Sequence, residues 1–86
     1  MSESIEPAPI LRVTIGAPIY TADDQKLGKV KAINGNHFQV ETGLFQKDYW
    51  LSGDTVTEAV PDHSVQLGFE KGELDTHKRD SEPMAA

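Results

Sequence analysis

Cysteine is absent from the chain, which excludes disulfides, thiolate metal sites and cysteine nucleophiles together. Long apolar runs are absent too: none approaches the roughly 18 residues that a membrane-spanning helix needs. The opening MSESIEPAP has neither a basic segment nor an apolar one, so no signal peptide is expected and the expected location is cytoplasmic. A basic excess is also missing. Acidic residues number 14 against 8 basic ones, a formal net charge of −6, and residues 10 to 74 alone carry 9 acidic and 6 basic side chains. Such a balance lacks the basic stripe that supplies most non-specific affinity for nucleic acid, and it disfavours an anionic lipid surface for the same reason.

What is present is short-period patterning. At 86 residues the chain holds one domain at most. A chain of this size buries only about 60% of its extended surface, so every apolar strand face is needed. Val30-Lys31-Ala32 and His37-Phe38-Gln39-Val40-Glu41 alternate apolar with polar residues, the period of a strand with one buried face. Asn34-Gly35-Asn36 lies between them and predicts a tight hairpin, because Asn-Gly supplies positive φ angles. Residues 18 to 21, 27 to 33, 36 to 42, 49 to 51, 56 to 60 and 64 to 69 read as strands. Gly28 predicts a bulge or bend, and residues 70 to 74 predict one helical turn. No sustained helical period intervenes.

The expected fold is therefore all-β: a small, partly open antiparallel β-barrel of five to six short strands with flexible ends. Curling one sheet removes most exposed edges with few residues. Residues 1 to 9 read as a flexible arm, 10 to 74 as the domain and 75 to 86 as a flexible tail, since the ends carry few apolar side chains to offset ordering. Val30, Ala32, Phe38, Val40, Leu51, Val56, Val65 and Leu67 form the expected inward set.

Several segments resemble one family. Gly16-Ala17-Pro18-Ile19-Tyr20, Asp23-Asp24 and Lys26-Leu27-Gly28-Lys29-Val30 look like the opening of a PRC-barrel domain: a strand, an Asp-Gly turn and a Gly-x-Val hairpin arm. Asp24 stands where the family usually places glycine. Tyr49-Trp50-Leu51-Ser52 followed by Val56 is similar to the family's aromatic, aromatic, Ile, Pro segment, with Ser52 in place of proline. Residues 64 to 67 and 70 to 74 resemble the close of the DUF2171-like branch. The resemblance implies a small β-barrel that serves as an assembly module, as in the photosynthetic reaction-centre H subunit and the bacterial ribosome maturation factor. It implies no catalysis by the barrel itself.

Side chains that could carry chemistry stand singly. His37, His63 and His77 have no partner at metal-ligand spacing, and the acidic residues show no calcium-loop pattern. Asp23, Asp24 and Asp62 fall in turns, where aspartate bonds its own backbone. Ser52 and Ser64 lack the context of a nucleophile elbow. Neither an enzyme, a metal nor an organic cofactor is expected. Lys26, Lys29 and Lys31 cluster on one hairpin and read as a solubilising strand face in preference to a phosphate patch.

The aromatics supply the working hypothesis. Tyr49 and Trp50 are adjacent on a strand and must point to opposite faces, so one is expected outside, with Tyr20 nearby. Tyr20, Tyr49 and Trp50 are the candidate partner-binding residues. The expected function is a non-enzymatic protein-interaction or assembly module, working on a protein partner or as a weak dimer. The alternative is a ribosome-associated or single-stranded nucleic-acid-binding barrel, for which Lys47 is the one basic residue near the aromatic pair.

Overall fold

A computed structural model describes residues 9–43 and 47–80. The Gly35-Asn36 loop sets the first register. Strand β2 (Lys26–Asn34) turns into β3 (His37–Glu41), with Asn34 opposite His37. Gly35 takes φ 60 while Asn36 stays at negative φ, the φ signs of a type II′ turn with glycine at its first central position. The expected pair of positive angles is thus a single one.

Around this hairpin lie β1 (Pro18–Tyr20), β4 (Tyr49–Ser52), β5 (Val56–Val60) and β6 (Ser64–Leu67). The sheet order is β4-β3-β2-β1-β6-β5, with β4 and β5 at its two ends. It is a partly open all-β sheet, as expected, but a mixed one. β1 pairs antiparallel with β2 and parallel with β6, Ile19 opposite Val65. This corrects the antiparallel-only barrel. Turn residues dictate hairpins between neighbours in sequence; they carry no information on the direction in which a strand 46 residues later meets β1.

Two bulges shape β2. Leu27 is an extra residue against β1, beside Gly28, and Lys31 is an extra residue against β3. At Gly28 the φ is 155, and a Cβ there would collide with the Glu41 carbonyl oxygen. Only glycine fits that close approach. The Lys31 bulge breaks the alternation of β2, so Ala32 is half-buried and Ile33 is 39% exposed. Ala32 therefore leaves the expected core. Val30, Phe38, Val40, Leu51, Val56, Val65 and Leu67 are all buried.

Residues outside the strands complete the core. Ile10 and Val13 are buried at and just beyond the 3₁₀ turn Pro9–Arg12, which packs against β5. Asp62 donates its amide to the Thr14 hydroxyl at 2.9 Å, tying the segment before β1 to the β5–β6 turn. At the other end, a 3₁₀ turn Lys71–Glu73 runs into a short helix, α1 (Leu74–His77). The Glu70 amide donates to the Glu73 carboxylate at 3.1 Å, a local cap that starts this turn. His77 stacks on Phe69 with ring centroids 4.3 Å apart.

Beyond α1, Arg79 exchanges two backbone hydrogen bonds with Trp50, at 2.7 and 2.9 Å. The boundary expected after residue 74 therefore falls inside a continuous strap that runs to the edge of β4. Residues 1–8 of the expected arm and 81–86 of the expected tail lie outside the described residues.

Candidate functional site

Tyr49 and Leu51 point into the core and Trp50 to the other face of β4, as strand alternation requires. Trp50 is nevertheless only 5% exposed and Tyr49 6%. Neither offers surface to a partner, which corrects the expectation that one of the two faces outward. Tyr49 belongs to the core, and the strap pairs its Arg79 backbone with Trp50 at the free edge of β4. Tyr20 is half-buried on β1, separated from β4 in the sheet by β2 and β3. The three aromatics do not form one exposed patch.

The hairpin lysines are partly neutralised. Lys31 Nζ lies 2.8 Å from the Asp48 carboxylate and Lys29 Nζ 3.4 Å from Glu41. The Lys31 hydrogen bond holds the Asp48 carboxyl below the usual carboxylate value and raises the Lys31 ammonium in turn. A concavity of about 620 Å³ opens here, with Lys29 facing Glu41 and Asp48 on its walls. Paired in this way, it resembles a solvated strand face more than an anion site.

A second concavity, of about 650 Å³, lies between the β2–β3 end of the sheet and the strap. Its floor is the buried side chains of Leu27 and Tyr49 with half-buried Leu74. Around it stand four exposed lysines, Lys26, Lys47, Lys71 and Lys78, and a single acid, Asp80. Lys78 is committed to Asp75 at 3.1 Å and sits 5.8 Å from the Tyr49 ring centroid. Among the described residues no carboxylate comes within ion-pairing distance of Lys26, Lys47 or Lys71. Burial pushes the Tyr49 phenol up to about 12, so at neutral pH it can only be a neutral donor or acceptor.

These four lysines come from β2, from the loop before β4, from the 3₁₀ turn and from beyond α1. Sequence reasoning missed them as a group because only the fold brings them together. Asp23 was placed in a turn, and there its carboxylate accepts hydrogen bonds from the Thr21 hydroxyl and from the Lys71 amide at 3.1 Å. It thereby holds the start of the strap in place. His37 is half-buried on β3 and His63 exposed in the β5–β6 turn. Among the described residues no three His, Asp or Glu side chains are grouped where they could hold a metal ion, and no helix is long and apolar enough to cross a membrane.

No protein-family model matches the chain, and no curated protein or solved structure matches it.

Proposed function

We propose that this protein is a non-enzymatic interaction module, a PRC-barrel-like β-domain of the DUF2171-like kind that docks a protein partner in the cytoplasm. One observation carries the reading. In a chain with net charge −6, three ammonium groups that make no ion pair among the described residues, Lys26, Lys47 and Lys71, gather around half-buried Leu74. Scattered lysines serve solubility; lysines gathered on a concavity of an acidic protein mark a surface that meets another charge. Asp24, where the PRC-barrel resemblance implies glycine, takes φ 61. Asp is among the few residues that tolerate this conformation.

The working surface moves accordingly, from the aromatics to the lysine-rimmed concavity. The alternative reading, a single-stranded nucleic-acid binder, requires exposed rings for base stacking, and among the described residues Phe38, Tyr49, Trp50 and Phe69 are buried and Tyr20 is half-buried. Self-association by strand addition at β4 is opposed by Arg79, which already occupies the backbone groups of Trp50.

The test places a photo-activatable cross-linking residue at position 47 and, as a control, at the exposed Glu58 of β5 in the native host. A discrete protein adduct at 47 that is absent at 58 is expected. Identical adducts at both positions, or none, would remove the interaction-module reading.

A further inference from the structure

The chemistry of the concavity is specific enough to name its occupant. Resting on the interaction-module reading above, we infer that it takes a short acidic segment of a partner protein, in which carboxylates flank one apolar side chain.

The first support is charge. Lys78 is held by Asp75 and Asp80 stands beside it, so among the described residues the positive charge without an ion pair is on Lys26, Lys47 and Lys71, the last partly offset by the Asp23 carboxylate. That count suits a ligand with two or three carboxylates, each taking one ammonium as a point charge. Lysine lacks the planar fork with which arginine grips a phosphate or carboxylate through two bonds, so the site selects charge and position over a single rigid anion.

The second support is the floor. Half-buried Leu74, packed on the core that holds Leu27 and Tyr49, presents apolar surface beneath the ammonium groups. A free inorganic anion leaves that surface unused. An apolar side chain covering it is favoured by removal from water, while the flanking carboxylates remain at the wetter rim.

The third support distinguishes a peptide from a nucleic acid. A polyphosphate extends its charge well past the lysines and meets a surface that is acidic overall. At physiological salt the screening length is only about 8 Å, so a short acidic segment confined to the concavity feels the lysines and little of the distant carboxylates. The adjoining concavity shows the same restriction from the other side. Its Glu41 and Asp48 already satisfy Lys29 and Lys31, which bounds the anionic ligand at Lys26.

Fluorescence anisotropy on the full chain tests this with a labelled peptide bearing glutamates on both sides of one leucine. The comparison peptides carry lysines in place of the glutamates, or serine in place of the leucine, and a labelled oligothymidine serves as the polyphosphate. Binding of the acidic leucine peptide is expected, several-fold tighter than the serine peptide and weakening steadily with salt. The K26Q/K47Q/K71Q variant should bind at least about tenfold more weakly. Trp50 emission and the thermal midpoint should be unchanged, since these side chains are exposed. Equal affinity for acidic and basic peptides, full affinity in the variant, or tighter binding of the oligothymidine would each overturn the inference. A protein adduct at position 47 with no acidic-peptide binding would retain the interaction module and discard the acidic partner.

Discussion

The Asp23 carboxylate accepts the backbone amide of Lys71 at 3.1 Å, joining the β1–β2 turn to a residue 48 positions away. The same carboxylate accepts the hydroxyl of Thr21, a fully buried side chain that also receives the Gln25 amide at 3.1 Å. Ala22 adds a backbone bond to the Phe69 carbonyl at 2.8 Å. One turn thus anchors the strap that carries Lys71, Leu74 and Lys78 to the concavity.

Asp23→Ala should loosen the strap without unfolding the sheet. Amide exchange at Lys71 should accelerate while exchange in β2 and β3 stays slow, and unchanged exchange at Lys71 would contradict the anchor. The Thr21 hydroxyl first, then the Lys71 amide, hold the Asp23 carboxyl below its ordinary value of 3.8. The anchor therefore contributes fully above that value and is lost as pH falls through the lowered folded value. In acid titrations Asp23→Asn should lose stability less steeply than wild type.

Gly28→Ala should cost about 2 kcal/mol or more, because the new Cβ meets the Glu41 carbonyl at a φ that side chains rarely adopt. Gly72→Ala is the control. Nothing lies within 4 Å of a Cβ there, and the change should stay within about 0.5 kcal/mol. Urea midpoints of the two variants measure the difference.

Tyr49 should contribute to the alkaline limit. Its phenol titrates near 10.0 when unfolded and at about 12 when folded, so between these values the unfolded chain releases a proton that the folded one keeps. Stability is fully present below pH 10 and falls as pH rises toward 12. Tyr49→Phe should flatten that fall in urea unfolding across this range; an equally steep fall would place its origin elsewhere.

Arg79→Pro removes the amide that donates to the Trp50 carbonyl at 2.9 Å. Because Trp50 is the single tryptophan, its emission should shift to the red as the strap lifts. The freed β4 edge should produce concentration-dependent association in sedimentation. Arg79→Ala keeps the amide and should behave as wild type.

What the sequence made legible was local. Asn34-Gly35 announced the hairpin, Gly28 the bulge, and the period-2 runs located every strand to within about two residues. The Lys31 bulge escaped because Val30-Lys31-Ala32 alternates correctly on paper; only pairing with β3 reveals the extra residue. The parallel meeting of β1 with β6 left no local mark. Trp50 was misjudged for a related reason. Strand alternation says which way a side chain points, not how exposed it ends up, and Leu74-Asp75-Thr76-His77 is too short to show a helical period. The concavity was legible only as isolated lysines, whose convergence depends on contacts across the whole chain.

The parallel pairing of Ile19 with Val65 also fixes an order of events during folding. The β2–β3 hairpin can form as soon as its own residues are available, on the order of microseconds. β1 cannot acquire its second neighbour until residues 64 to 67 have been synthesised and have left the ribosome. Closing so long a loop is slower than closing the hairpin. Until then the β6-facing edge of β1, with its apolar Ile19, is open to other chains, and the final third of the protein decides whether the first third reaches its native partner.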